Sequence, residues 1–193
     1  AEGAYVTYDD EVESIPEAFR NPETTMVVFT PAVPADHPQM QYFSKGGFLV
    51  EKRSQMLGHL SEGKYVMAVA GTHGKTTTTS MLAKALLDAK LDPTVHIGGQ
   101  LDYIGGSTRV GSRDAFVVEA CEFRKSFLDL SPKISVVLNI DNDHMDSYNG
   151  MSDLVDSFKQ FVGENLSVVN ADDRYAEYIS NCTTVTFGVK SPA

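Results

Sequence analysis

Short apolar runs rich in β-branched residues alternate along this chain with longer stretches of helical pattern. The runs "TTMVVFT" (24–30), "KYVMAVA" (64–70), "AFVVEA" (115–120), "KISVVLNI" (133–140), "LSVVNA" (166–171) and "TTVTFG" (183–188) predict strands. Several lack polar alternation, as strands buried on both faces do. Residues 36–46, 53–62, 75–90, 152–163 and 173–181 predict helices. Strand and helix in alternation predict an α/β fold with a mostly parallel sheet. The segment "SEGKY" (61–65) predicts a boundary between residues 1–62 and 63–193. The first part holds one good strand with two or three helices, too little for a complete doubly wound domain.

One junction carries chemistry. "VMAVAGTHGKTTTTSML" (66–82) runs from an apolar strand through glycines into a helix. That is the setting of a phosphate-binding loop, although only Thr72 and His73 separate Gly71 from Gly74. A helix N-terminus offers unpaired N–H groups and a partial positive charge, and glycines let the main chain approach an anion. Lys75 then suits the terminal phosphates and the Thr76 hydroxyl suits Mg²⁺. The plainer alternative is a glycine turn with a solvated lysine. Strand, loop, Gly-Lys-Thr-Thr and helix arriving together favour the phosphate site.

Two other strands end in groups suited to a metal, at the edge where parallel sheets bind ligands. "AFVVEACEF" places Glu119 at a strand end with Glu122 just beyond, and "VVLNIDNDHMD" supplies Asn139, Asp141, Asp143, His144 and Asp146. Carboxylates suit Mg²⁺, whereas histidine more often binds softer metals. His144 reads as a site residue or as a loop residue, and the acidic loop around it favours the site. Asp172 and Asp173 read as helix caps rather than catalytic groups. Lys159 reads as part of a solvated helix face. "HIGGQLDYIGGSTRVG" (96–111) reads as a mobile substrate loop or as two turns.

Composition narrows the classes. In 193 residues, 42% are hydrophobic and 22% charged, as in ordinary globular proteins. The net charge of −10 argues against nucleic-acid binding, which depends on basic patches. It leaves nucleotides open, because backbone N–H groups can hold phosphates in an acidic protein. There is no apolar run of transmembrane length, so no membrane partner is expected. Cys121 and Cys182 have no metal-like spacing, suit a reducing cytoplasm, and are expected to be small buried residues.

Taken in order, "GTHGKTTTTSM", "EACEFRKSFLDLSPKISVVLNI" and "NIDNDHMDSYNG" resemble the phosphate loop, magnesium glutamate and histidine segment of the Mur ligase family. These are ATP-dependent amide-forming enzymes of peptidoglycan precursor synthesis. "TPAVPADHPQ", "EKRSQMLGHL" and "HIGG" are similar to the branch that adds the first amino acid, L-alanine, to UDP-N-acetylmuramate. The resemblance implies that 1–62 form the C-terminal half of a Rossmann-like UDP-sugar-binding domain, and that 63–193 form the first part of a central ATP-binding domain.

It further implies ATP phosphates on Gly71, Thr72, His73, Gly74, Lys75, Thr76 and Thr77. Mg²⁺ would lie on Thr76 and Glu119, with His144 at a second ion, and Lys75, Glu119 and His144 would serve catalysis. Many relatives have Glu-Ala-Asp-Glu where this chain has Cys121 in third place, so an acidic partner is missing there. The expectation is a cytoplasmic ligase of which this chain is an incomplete, inactive piece. The alternatives are the ligase that recycles murein peptides onto the same UDP-sugar, and a non-catalytic nucleotide-binding module.

Overall fold

The computed structural model describes residues 4–143 and 145–190. The chain divides into two compact units, Ala1–Met56 and Leu57–Ala193. The division falls a few residues before the 62/63 boundary suggested by "SEGKY", within a helix that runs on to Ser61.

In the first unit, strand β1 (Met26–Phe29), helix α1 (Pro38–Lys45) and strand β2 (Leu49–Lys52) form a crossover. The two strands pair in parallel, Met26 opposite Leu49 through Phe29 opposite Lys52. Pro38 opens α1, where a missing N–H costs nothing. Phe43 and Phe48 meet edge to face at 5.0 Å, pinning the helix end to the chain entering β2. Helix α2 (Arg53–Ser61) then carries the chain into the second unit.

The second unit is built on a seven-stranded sheet. Its elements are β3 (Tyr65–Ala70), α3 (Lys75–Asp88), β4 (Thr94–Leu101), β5 (Gly106–Arg109), β6 (Ala115–Glu119), β7 (Ile134–Val137), α4 (Met151–Val162), β8 (Leu166–Asn170), α5 (Ala176–Ile179) and β9 (Thr184–Phe187). The strand order is β5-β4-β6-β3-β7-β8-β9. Every pairing is parallel except β4 with β5. The six sequence-derived strands and five helices all form, and the α/β, mostly parallel architecture is the one expected.

Alternate residues of β3 explain its unbroken apolar run. Val66, Ala68 and Ala70 pack into one cluster with Phe127, Leu154 and Phe158, whereas Met67 packs into another with Ala83 of α3 and with Val95. Both faces of β3 are covered, so its residues from Val66 to Ala70 are all buried and apolar. Helix α4 buries Leu154, Val155, Ser157, Phe158, Phe161 and Val162, a single stripe at helical spacing. Phe127 stands edge-on to Phe158 at 5.1 Å and stacks on Phe161 at 5.0 Å.

Three expectations change. Residues 96–111 are not a loose loop: most of the segment is β4, a short 3-10 turn at Asp102–Ile104, and the antiparallel edge strand β5. Both cysteines are exposed rather than buried. Around the Cys121 sulfur the protein nonetheless excludes enough water to push the thiol above its ordinary value. Finally, α5 begins at Ala176, later than the Asp cap reading placed it. Asp173 accepts the Tyr175 N–H at 2.8 Å and the Ile140 N–H at 2.8 Å, tying the chain after β7 to the chain after β8.

Candidate functional site

β3 is the central strand, and its carboxyl end opens into the loop Gly71–Gly74 before α3. Gly71 has φ of +137°, and a Cβ there would lie 3.1 Å from both Asn139 N and Leu138 Cβ. Gly74, at φ of +84°, turns the chain into the helix. The loop is clamped by the segment that follows β7. Thr72 N–H donates to Asn139 O at 3.0 Å, His73 N–H donates to Asn139 Oδ1 at 2.8 Å, and Asn139 Nδ2 returns a bond to His73 O at 3.0 Å. Asp141 N–H donates to Thr72 Oγ1 at 2.8 Å. The α3 ladder starts with Thr78 N–H on Gly74 O at 3.0 Å. The N–H groups of Lys75, Thr76 and Thr77 precede it and face out of the helix end.

Lys75 Nζ donates to Gly71 O at 2.6 Å and Thr72 O at 3.1 Å, and it meets the Glu122 carboxylate at 2.9–3.0 Å. Thr76 Oγ1 donates to Glu119 Oε2 at 2.9 Å. The same carboxylate oxygen accepts the Gly98 N–H of β4 at 2.8 Å. A Cβ at Gly98 would sit 3.1–3.3 Å from the Glu119 carboxylate, and one at Gly99 would lie 2.9 Å from Thr76 Cγ2. Of the remaining threonines, Thr79 is buried and bonds back to Lys75 O at 2.7 Å, while Thr77 is exposed in the first helical turn.

The structure therefore brings together Gly71 through Thr77 and Glu119. His144 lies outside the described residues. Asn139, read from sequence among metal-suited groups, spends its amide on the loop. Glu122 spends its carboxylate on Lys75. Lys159 sits away from the loop on α4, its ammonium 4.2 Å over the Tyr178 ring. Sequence reasoning missed Gly98, Gly99 and the pairing of Lys75 with Glu122. The glycine pair in "HIGG" was the available signal, and only strand neighbours show what it faces.

The donor set fits a hard divalent cation. A hydroxyl and a carboxylate meet at 2.9 Å beside a helix N-terminus, the arrangement that Mg²⁺ uses when phosphate oxygens and water complete its shell. Among the described residues no group of three or more His, Cys, Asp or Glu side chains could hold a metal alone. No helix of the described residues is long and apolar enough to cross a membrane.

Charges behind the loop are also organised. Lys125 Nζ lies 2.5 Å from Asp153 Oδ1, and the Asn149 N–H donates to Asp153 Oδ2 at 3.0 Å. The Lys125 bond first, and the backbone bond second, hold the Asp153 carboxyl below its ordinary value. The Tyr148 hydroxyl donates to the Glu122 carbonyl. Burial, and then the Glu122 carboxylate, push that phenol above its ordinary value.

The sheet, the loop and its clamp define an α/β domain of the phosphate-loop type. Residues 69–193 match the Mur ligase middle domain, and the chain belongs to the Mur ligase family. It is 44% identical over 172 residues to UDP-N-acetylmuramate–L-alanine ligase of Clostridium acetobutylicum, covering 85% of this chain and 38% of that protein. The enzyme of the same name from Clostridium botulinum strain Langeland is 38% identical over 197 residues, 98% of this chain and 42% of that protein. The chain thus spans about two fifths of the length of the curated relatives it matches.

Among solved structures, UDP-N-acetylmuramate–alanine ligase MurC from Thermotoga maritima superposes with a TM-score of 0.78 at 32% identity, covering 86% of this chain and 39% of that one. The UDP-N-acetylmuramate:L-alanyl-γ-D-glutamyl-meso-diaminopimelate ligase of Neisseria meningitidis gives 0.74 at 26% identity, covering 83% and 57%.

Proposed function

We propose that this chain is the nucleotide-binding portion of an ATP-dependent ligase that joins L-alanine to UDP-N-acetylmuramate, with residues 1–62 contributing to the UDP-sugar side. The observation that carries the reading is that Thr76 Oγ1 meets the Glu119 carboxylate while the neighbouring Lys75 ammonium sits on the Gly71 carbonyl of the loop. The N–H groups of Gly74 and of the first helical turn hold the phosphates, and Lys75 neutralises charge on the terminal ones. Thr76 and Glu119 would hold Mg²⁺, which would neutralise triphosphate charge that otherwise repels the attacking carboxylate. His144 belongs to the same site by its place in the histidine segment.

The sugar's lactyl carboxylate takes the γ-phosphoryl group to give an acyl phosphate. The alanine amine then attacks the carbonyl and phosphate leaves. No side-chain nucleophile is required; the protein's part is positioning and fixed charge. In the ligase at the length of its relatives, Lys75→Ala and Glu119→Ala should each abolish alanine-dependent ADP release, and near-normal turnover in either would sink the site assignment.

A second ligase reading is supported by the Neisseria neighbour, whose name gives it a murein peptide as acceptor. The higher identity to the alanine-adding relatives favours alanine. Turnover with L-alanine against turnover with the L-alanyl-γ-D-glutamyl-diaminopimelate tripeptide separates the two.

A further inference from the structure

Among the described residues of the second unit, Glu122 is the buried charged residue that the proposed reaction does not use. Its side chain is 2% exposed and that of Lys75 is 14% exposed, so water screens neither well. Each is the other's compensating charge. The three hydrogens of the Lys75 ammonium meet three partners: the carbonyls of Gly71 and Thr72, and this carboxylate. Two of the three belong to the loop itself. The third, Glu122, comes from outside the loop, three residues beyond the end of β6.

The backbone around Glu122 is built to hold it still. Its carbonyl accepts the Tyr148 hydroxyl and the Lys125 N–H, the latter at 2.9 Å. The next two residues but one, Arg124 and Lys125, take left-handed φ values of 51° and 58°. Such angles are unfavourable for residues with a Cβ and persist where surrounding contacts impose them. Here Lys125 is held at both ends, by its N–H on Glu122 O and by its ammonium on Asp153, which also accepts the Asn149 N–H.

We propose that Glu122 is a positioning residue that fixes the Lys75 ammonium at the point of phosphoryl transfer. The inference rests on reading Lys75 as the lysine of the terminal phosphates. An incoming triphosphate can replace a loop carbonyl on Nζ while Glu122 keeps its contact. The ammonium then stays where charge develops during transfer, rather than following the ground-state phosphate. The carboxylate also repels the triphosphate, so its charge opposes nucleotide binding while it aids the chemical step.

These two effects have opposite signs, which gives a readout that a merely structural residue would not produce. In the ligase at the length of its relatives, Glu122→Gln should lower kcat for ADP release about 10- to 100-fold while the KM for ATP stays level or falls. A kcat within about twofold of the parent, or a loss of kcat/KM carried by a raised KM, overturns the proposal. If Glu122→Gln does not fold, this chain supplies the second measurement. Lys75→Met and the double variant Lys75→Met/Glu122→Gln are compared by thermal unfolding. The double variant should have the higher midpoint, because it leaves no unpaired buried carboxylate; additive losses overturn the pairing. An active Lys75→Ala enzyme would overturn the phosphate reading beneath the proposal. An inactive Lys75→Ala with an unaltered Glu122→Gln would overturn the positioning role alone.

Discussion

At Gly98 the lack of a side chain is what leaves room for Glu119. The Gly98 N–H and the Thr76 hydroxyl both bond to Oε2 of that carboxylate, at 2.8 and 2.9 Å. Gly98→Ala would put a methyl group 3.1–3.3 Å from the carboxylate and turn it away from Thr76. In the full-length ligase we expect the Mg²⁺ concentration for half-maximal activity to rise about tenfold with little loss of stability, the usual scale for disturbing a ligand's support. A magnesium titration of ADP release checks it, and an unchanged midpoint would remove Gly98 from the site. The loop residues Gly71 to Thr77 were legible in the sequence because their relation is local: strand, glycines and helix follow one another directly. Glu119 was legible as a strand end. Glu122 and Asn139 were visible as polar groups near the site, but not by their partners. Lys75 and Glu122 are 47 residues apart, and His73 and Asn139 are 66 apart. Only strand adjacency brings them together.

At the level of elements, apolar content decided which strands could be read. β1, β3, β6, β7, β8 and β9 all carry Val within a short, mostly apolar or β-branched run. The unread ones are β2, β4 and β5, with the sequences LVEK, TVHIGGQL and GSTR. The second half of β4 carries two glycines and β5 is mostly small and polar, which weakens the strand signal in this segment. β4 forms because β6 satisfies its backbone, Thr94 opposite Phe116 through His96 opposite Val118, and β5 then pairs with β4. Helix α4 was legible for the opposite reason, since its apolar stripe is dense and regular. Phe158 is fully buried at the centre of that stripe and touches Phe127. Phe158→Ala should cost about 3–5 kcal/mol of unfolding free energy, read by urea denaturation of this chain. A loss below about 1 kcal/mol would mean that α4 is not packed on the sheet in this way.

For the whole molecule, the chain is two compact units whose relatives are more than twice as long. The loop that would hold phosphate lies within residues 57–193, and because the chain spans about two fifths of the length of its relatives we expect the acceptor amine to be held by residues outside this span. Titration of this 193-residue chain with Mg-ATP should therefore show weak binding or none, and assays with UDP-N-acetylmuramate and L-alanine should show no product. Product formation would mean that the acceptor is held within these residues.

By itself, the sequence determined the α/β class, the strand–glycine–helix junction at Gly71–Gly74 and the order of segments that marks the Mur ligase family. Those features depend on neighbours within a few residues, where periodicity, glycine placement and helix-end chemistry act. Tertiary structure decided that β4 joins the sheet, that Gly98 and Thr76 share the Glu119 carboxylate, that Asn139 clamps the loop, and that Glu122 pairs with Lys75. Each of these follows from which strands lie side by side. Adjacency in a parallel sheet is set by burial on both faces and by closing every backbone hydrogen bond, not by distance along the chain.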